Sequence, residues 1–136
     1  MYLFDTNIFL EILLGQGQAD ACQRALGTVD ENHEGWTSSF SLHAVEAIVG
    51  AKAGRWSVLE KFLSALQEHP HFFVYTTTLE EELDVVRRVP KLGLDFDDAL
   101  QFWLADKKGW KLITLDKDFA KLCSKGVDIL APSDIP

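Results

Sequence analysis

Carboxylates stand at four informative positions in the chain, at Asp5, Glu46, Asp98 and Asp116. Asp5 follows the short apolar run Tyr2-Leu3-Phe4, and Asp116 follows a second apolar run, so both should project from the same edge of a sheet. Asp98 lies at the start of a helical segment and Glu46 within one. Brought together, such groups would repel one another, and burial would raise their pKa values. A cluster of this kind persists when a cation neutralises it, and oxygen-only ligands favour Mg²⁺ or Mn²⁺ over Zn²⁺. Magnesium keeps several waters and takes a few carboxylates plus a substrate phosphate, so the chemistry within reach is attack of an activated water on phosphorus. Taken singly, each residue has a plainer explanation. An acid just past a strand is a ready helix N-cap worth about 1 kcal/mol. A mid-helix Glu46 is by default a solvated side chain, although Val45, Ile48 and Val49 give it apolar neighbours. His33, His43, His69 and His71 show no ligand spacing with the acids and read as surface or packing residues.

The elements that must position these acids alternate. Residues 2–4 form a first strand and Ile8–Leu14 a short helix stopped by Gly15-Gln16-Gly17. A second helix is predicted over about Gln18–Glu31, with Cys22, Ala25, Leu26 and Val29 on one face. Trp36-Thr37-Ser38 reads as a strand, followed by a helix capped at Ser39 or Ser41 and running to about Ala53. Residues 56–68 carry an apolar stripe, and Phe72 to Thr77 has the β-branched and aromatic content of a strand. A helix is predicted over Leu79–Val89, with Pro90 breaking the chain. Asp97 or Asp98 opens the next helix, which ends near Lys108. A strand over residues 110–114, a short helix Lys117–Cys123 and a last strand over residues 127–130 complete the chain. Short apolar strands alternating with helices predict a parallel sheet covered on both faces, with its site beyond the strands' carboxyl ends.

The length of 136 residues suits one domain, over residues 1–136. No apolar run approaches the roughly 20 residues of a membrane span, and the start lacks the features of a signal peptide, so a cytoplasmic protein with no membrane partner is expected. Cys22 and Cys123 fit no metal pattern and are expected as reduced thiols. The formal net charge of −8 argues by itself against nucleic acid. The charge is unevenly spread, however: residues 1–84 carry 4 basic and 13 acidic side chains, residues 85–136 carry 9 and 8. Any phosphate-binding face should draw on Arg87, Arg88, Lys91, Lys107, Lys108, Lys111, Lys117, Lys121 and Lys125, although scattered solvated lysines explain the same residues.

Three segments together resemble the PIN domain family: Leu3-Phe4-Asp5-Thr6-Asn7, Phe96-Asp97-Asp98-Ala99-Leu100-Gln101, and Ile113-Thr114-Leu115-Asp116-Lys117-Asp118-Phe119. The likeness is strongest to the single-domain bacterial toxins called VapC and covers nearly the whole chain. It implies a three-layer α/β/α sandwich around a short parallel sheet, and a Mg²⁺- or Mn²⁺-dependent endoribonuclease. It maps family acids onto Asp5, Asp98 and Asp116, and the second family acid most naturally onto Glu46. Asp97 and Asp118 are reserve ligands, and Thr6, Asn7 and Thr114 match supporting polar positions. It further implies an RNA substrate, a small antitoxin protein as partner, and a homodimer.

Other readings fail on the residues. A haloacid-dehalogenase-type phosphatase wants a second Asp where Asn7 stands, a receiver domain wants its acidic pair at the first strand end, and a calcium loop from Asp95 lacks its Gly and terminal Glu. The alternative that remains is a PIN-like module that binds a protein partner and has lost cleavage, favoured by the net charge.

Overall fold

The computed structural model describes residues 1–119 and 126–136. Strand β1 (Tyr2–Phe4) is buried at every position because both of its faces are covered. Tyr2 and Phe4 pack into one core with Ile8, Phe9, Val45 and Phe72, while Leu3 packs into another with Leu100, Leu104 and Leu112. β1 is the middle of a five-stranded sheet with β2 (Gly35–Ser38), β3 (Phe72–Tyr75), β4 (Lys111–Ile113) and β5 (Ile129–Leu130). The order is β3-β2-β1-β4-β5 and every pairing is parallel, so all five carboxyl ends lie along one edge.

Helices α1 (Thr6–Leu13), α2 (Ala19–Leu26), α3 (Ser39–Val45) and α4 (Trp56–Glu68) supply the first core. Helices α5 (Leu79–Leu92) and α6 (Phe96–Lys108) supply the second. This is the parallel sheet covered on both faces that the alternation predicts, and the three-layer α/β/α sandwich that the resemblance implies. Residues Ala99 to Ala105 of α6 are all buried, so this helix is covered nearly all round and has no polar stripe. Among the described residues no helix is long and apolar enough to cross a membrane. Cys22 is a free, buried thiol, and Cys123 lies outside the described residues.

Several boundaries differ from those read in the sequence. α2 ends at Leu26 with Gly27 as its cap: the N–H groups of Thr28 and Val29 bond three residues back, to Ala25 O and Leu26 O, each at 3.2 Å, and Asp30 Oδ1 then holds a separate turn by accepting from Asn32 N and His33 N, both at 2.8 Å. The helix after β2 is capped by Ser38, whose Oγ accepts from Ser41 N at 3.0 Å. That helix then widens into a π-helical segment, Glu46–Lys52. α5 runs past Pro90 to Leu92 and stops at Gly93, which takes the left-handed φ of +66°. Pro90 falls in the last turn, where the loss of one intrahelical bond does not end a helix whose Val85 is anchored in the core. α6 is opened by Asp95, which leaves Asp97 and Asp98 inside the first turn. A 3₁₀ turn spans 117–119, and the remainder of the short helix predicted to Cys123 lies outside the described residues.

Candidate metal centre

Asp5 sits at the carboxyl end of the central strand and caps α1: its Oδ1 accepts from Thr6 N at 2.7 Å. The same carboxylate accepts from Thr114 Oγ1 at 2.7 Å through Oδ2. Thr114 follows β4, the neighbour of β1, so parallel pairing brings the two residues together. Asp5 is 2% exposed. Burial pushes its carboxyl up to about 7, the Thr114 hydrogen bond opposes this, and the Asp97 and Asp116 charges add to the rise.

Asp98 reaches the same place from α6, on the opposite side of the sheet. Its carboxyl is also raised to about 7, first by burial and then by the charges of Asp5, Asp95, Asp116 and Asp97. Asp97 is raised as well, by burial and the Asp95 charge, against hydrogen bonding from Gln101 and Thr6. One oxygen each from Asp5, Asp97 and Asp98 lies within 4.8 Å of the others. Asp97 Oδ1 is inaccessible to solvent and has no hydrogen-bond partner.

Asp116 is placed beside this trio by Thr114, whose Oγ1 accepts from Asp116 N at 3.0 Å. Asn7 braces the same loop from α1: Nδ2 donates to Thr114 Oγ1 and Oδ1 accepts from Leu115 N, each at 3.3 Å. Thr6 links the trio to α3: it hydrogen-bonds the Asp97 carboxyl, and its Oγ1 lies 2.8 Å from Ser41 Oγ. Asp118 is exposed, and its backbone N–H donates to Asp116 Oδ1 at 2.8 Å. Asp116 and Lys117 line a cleft that runs along β5 to Ser133 and Asp134.

Glu46 stands apart from the trio. It opens the π-helical segment and lines a groove with Trp56, Leu59, Leu63 and Gln67 on α4. Reading the sequence missed Asp95, Ser38, Ser41 and Gln101. The spacing Asp95-x-x-Asp98 carries a capping signal, and Gln101 betrays itself as an amide within an apolar helical run.

Three carboxylates packed this closely and partly withdrawn from water form an all-oxygen donor set that fits a hard divalent cation, and the unpaired Asp97 oxygen supplies a vacant lone pair. In a doubly wound parallel sheet, ligand sites lie beyond the carboxyl ends of the strands, which is where these acids gather. The sequence matches the PIN domain profile over residues 2–125, and the chain belongs to the PIN domain family.

The fold resembles that of VapC20 from Mycobacterium tuberculosis, described as a sarcin–ricin loop cleaving toxin. The TM-score is 0.74 at 17% identity, over 89% of this chain and 94% of that one. A toxin–antitoxin complex from Klebsiella pneumoniae matches with a TM-score of 0.71 at 24% identity, over 99% of this chain and 100% of that one. VapBC2 from Rickettsia felis, solved bound to a DNA fragment from its promoter, matches with a TM-score of 0.72 at 16% identity, over 96% and 97%. A search of curated proteins found no sequence match.

Proposed function

We propose that this PIN domain is a divalent-metal-dependent endoribonuclease acting as the toxin of a toxin–antitoxin pair. The observation that carries this reading is the trio Asp5, Asp97 and Asp98, whose mutual repulsion and burial are relieved by a bound cation. Those three residues hold Mg²⁺ or Mn²⁺, with Asp116 at the rim of the same site. When bound, the ion supplies Lewis acidity toward a phosphodiester and its attacking water. The chain's own residues do the rest: Thr114 and Thr6 N hold the Asp5 carboxylate in one orientation, and Asn7 fixes the loop that carries Asp116. Glu46 belongs to the adjoining groove and is not needed to hold the ion. RNA as substrate and an antitoxin as partner are supported by the structural neighbours, among them a sarcin–ricin loop cleaving toxin and a toxin–antitoxin complex.

The test is incubation of the purified chain with structured RNAs in Mn²⁺ or EDTA. Cleavage should require Mn²⁺ and disappear in Asp5→Asn and Asp98→Asn. Cleavage that survives both substitutions defeats the site assignment. A folded chain that binds a small basic partner yet cuts no RNA under any metal condition supports the alternative, a protein-binding module without catalysis. That alternative draws on the groove beside Glu46, where Trp56 is 61% exposed next to Glu46 and Glu60.

A further inference from the structure

Gln101 is the only side-chain amide in the buried run Ala99–Ala105, and none of its surface is exposed. Its Nε2 is directed at Ser41 Oγ, across the sheet edge on α3. The same oxygen is met by Thr6 Oγ1 at 2.8 Å and Ser38 Oγ at 3.1 Å. In this arrangement Gln101 Oε1 has no partner, and neither does Asp97 Oδ1. Asp97 and Gln101 are four residues apart on α6, so their side chains share one face of the helix.

Gln101 and Thr6 both hydrogen-bond the Asp97 carboxyl, so the amide joins Ser41 on α3 to Asp97 in the first turn of α6. A hydroxyl has one proton and two lone pairs, so the partners gathered on Ser41 saturate it and leave the amide little freedom to turn. A buried hydrocarbon would fill this position in an apolar helix without any such network, which makes the amide costly unless it holds something.

We propose that Gln101, locked by Ser41, is a positioning residue that holds Asp97 in the acidic trio. This inference rests on the metal-site reading above. It gives the buried Ser38–Ser41–Thr6 cluster a purpose beyond capping α3.

Isothermal titration of the full chain with Mn²⁺ tests it without reference to catalysis. Gln101→Leu should weaken Mn²⁺ binding about tenfold, the scale found for residues that orient metal ligands. Asp97→Asn should weaken it at least as much, and the double variant should bind no worse than Asp97→Asn alone, because Gln101 acts through Asp97. If Gln101→Leu does not fold, Ser41→Ala removes the lock and should show the same loss, equally silent in the Asp97→Asn background. Binding within twofold of the wild type in these variants overturns the inference, as does a loss that adds fully to that of Asp97→Asn. Wild-type protein that binds no Mn²⁺ overturns the metal-site reading itself, and the inference with it.

Discussion

Thr114 Oγ1 donates to Asp5 Oδ2 at 2.7 Å, joining residues 109 positions apart in the chain. The contact exists because β1 and β4 pair in parallel with Phe4 opposite Ile113, so the residues that follow each strand meet at one edge. The same hydroxyl oxygen accepts from Asp116 N and Asn7 Nδ2. Thr114→Val keeps the shape and removes all three bonds. Asp5 then loses the strongest influence opposing its burial, and the loop bearing Asp116 loses its anchor. Mn²⁺ affinity should fall about tenfold or more, read by calorimetric titration, and RNA cleavage should fall with it.

Protons and cations compete for the trio, and the sign follows from the direction of the shifts. Asp5 and Asp98 are raised from 3.8 to about 7 in the folded chain without metal. Between those values the folded state keeps protons that the unfolded chain has released, so stability without metal is fully present below about 3.8 and declines as pH rises toward 7. A divalent cation removes this penalty by taking the protons' place. Thermal unfolding in EDTA should therefore give a lower Tm at pH 8 than at pH 5, and Mn²⁺ should raise the Tm more at pH 8 than at pH 5. A Mn²⁺ effect that is equal at both pH values would show that the ion binds elsewhere.

Asp5→Asn separates catalysis from stability. The amide cannot ionise, so the repulsion with Asp97 and Asp116 disappears, and its single oxygen keeps one of the two bonds that the carboxylate accepts, from Thr114 Oγ1 or from Thr6 N. RNA cleavage should vanish, and in EDTA at pH 8 the variant should melt at a higher temperature than the wild type. A melting temperature well below the wild type would show that the charge of Asp5 supports the fold rather than strains it.

The sheet and most helices are legible in the sequence because their signals are local. Apolar runs with covered faces, such as Tyr2-Leu3-Phe4, and the stripe of α4 depend on neighbours a few residues away. The errors lie where a distant or competing contact decides. α2 stops early because the backbone N–H groups of Thr28 and Val29 turn to the carbonyls three residues back, and Asp30 then opens a separate turn. α5 passes Pro90 because its packing on α6 outweighs one missing bond. In the site, Asp5, Asp98 and Asp116 announce themselves as acids after strands or at a helix start. Asp97 enters only as a reserve ligand, because its contacts with Gln101, one turn on, and through it with Ser41 on another helix leave no local signal. No spacing rule in the chain links residue 41 to residue 101.

Gly35 opens β2 where the backbone passes closest to its neighbours. A Cβ there would lie 2.6 Å from the Phe72 ring and 2.8 Å from Val29 Cγ2, and both of those residues are buried. Neither can move aside into solvent, so Gly35→Ala overpacks the core between β2 and β3 and should cost about 1–3 kcal/mol. Urea denaturation should show the midpoint falling with an unchanged slope. A stability gain would mean that the β3 edge yields easily.

Glu46 provides the sharpest division between the trio and the groove. It stands at the first position of the π-helical segment, beside Trp56, Leu59 and Leu63, and the segment's Gly50 lies so close under the Trp56 ring that a Cβ would meet it at 2.6 Å. The charges that act most strongly on Asp5 come from Asp97 and Asp116, those on Asp98 from Asp5 and Asp95. On the proposed metal site, Glu46 is therefore expected to contribute little to binding of the ion. Glu46→Gln should leave Mn²⁺ affinity within twofold of the wild type, while Asp98→Asn lowers it at least tenfold. Together with Glu60 it gives an apolar groove an acidic rim, which suits a partner segment that carries lysine or arginine among apolar residues. If Glu46→Gln instead loses Mn²⁺ binding as Asp98→Asn does, the π-helical segment turns Glu46 into the site when the ion binds, and the trio gains a fourth ligand.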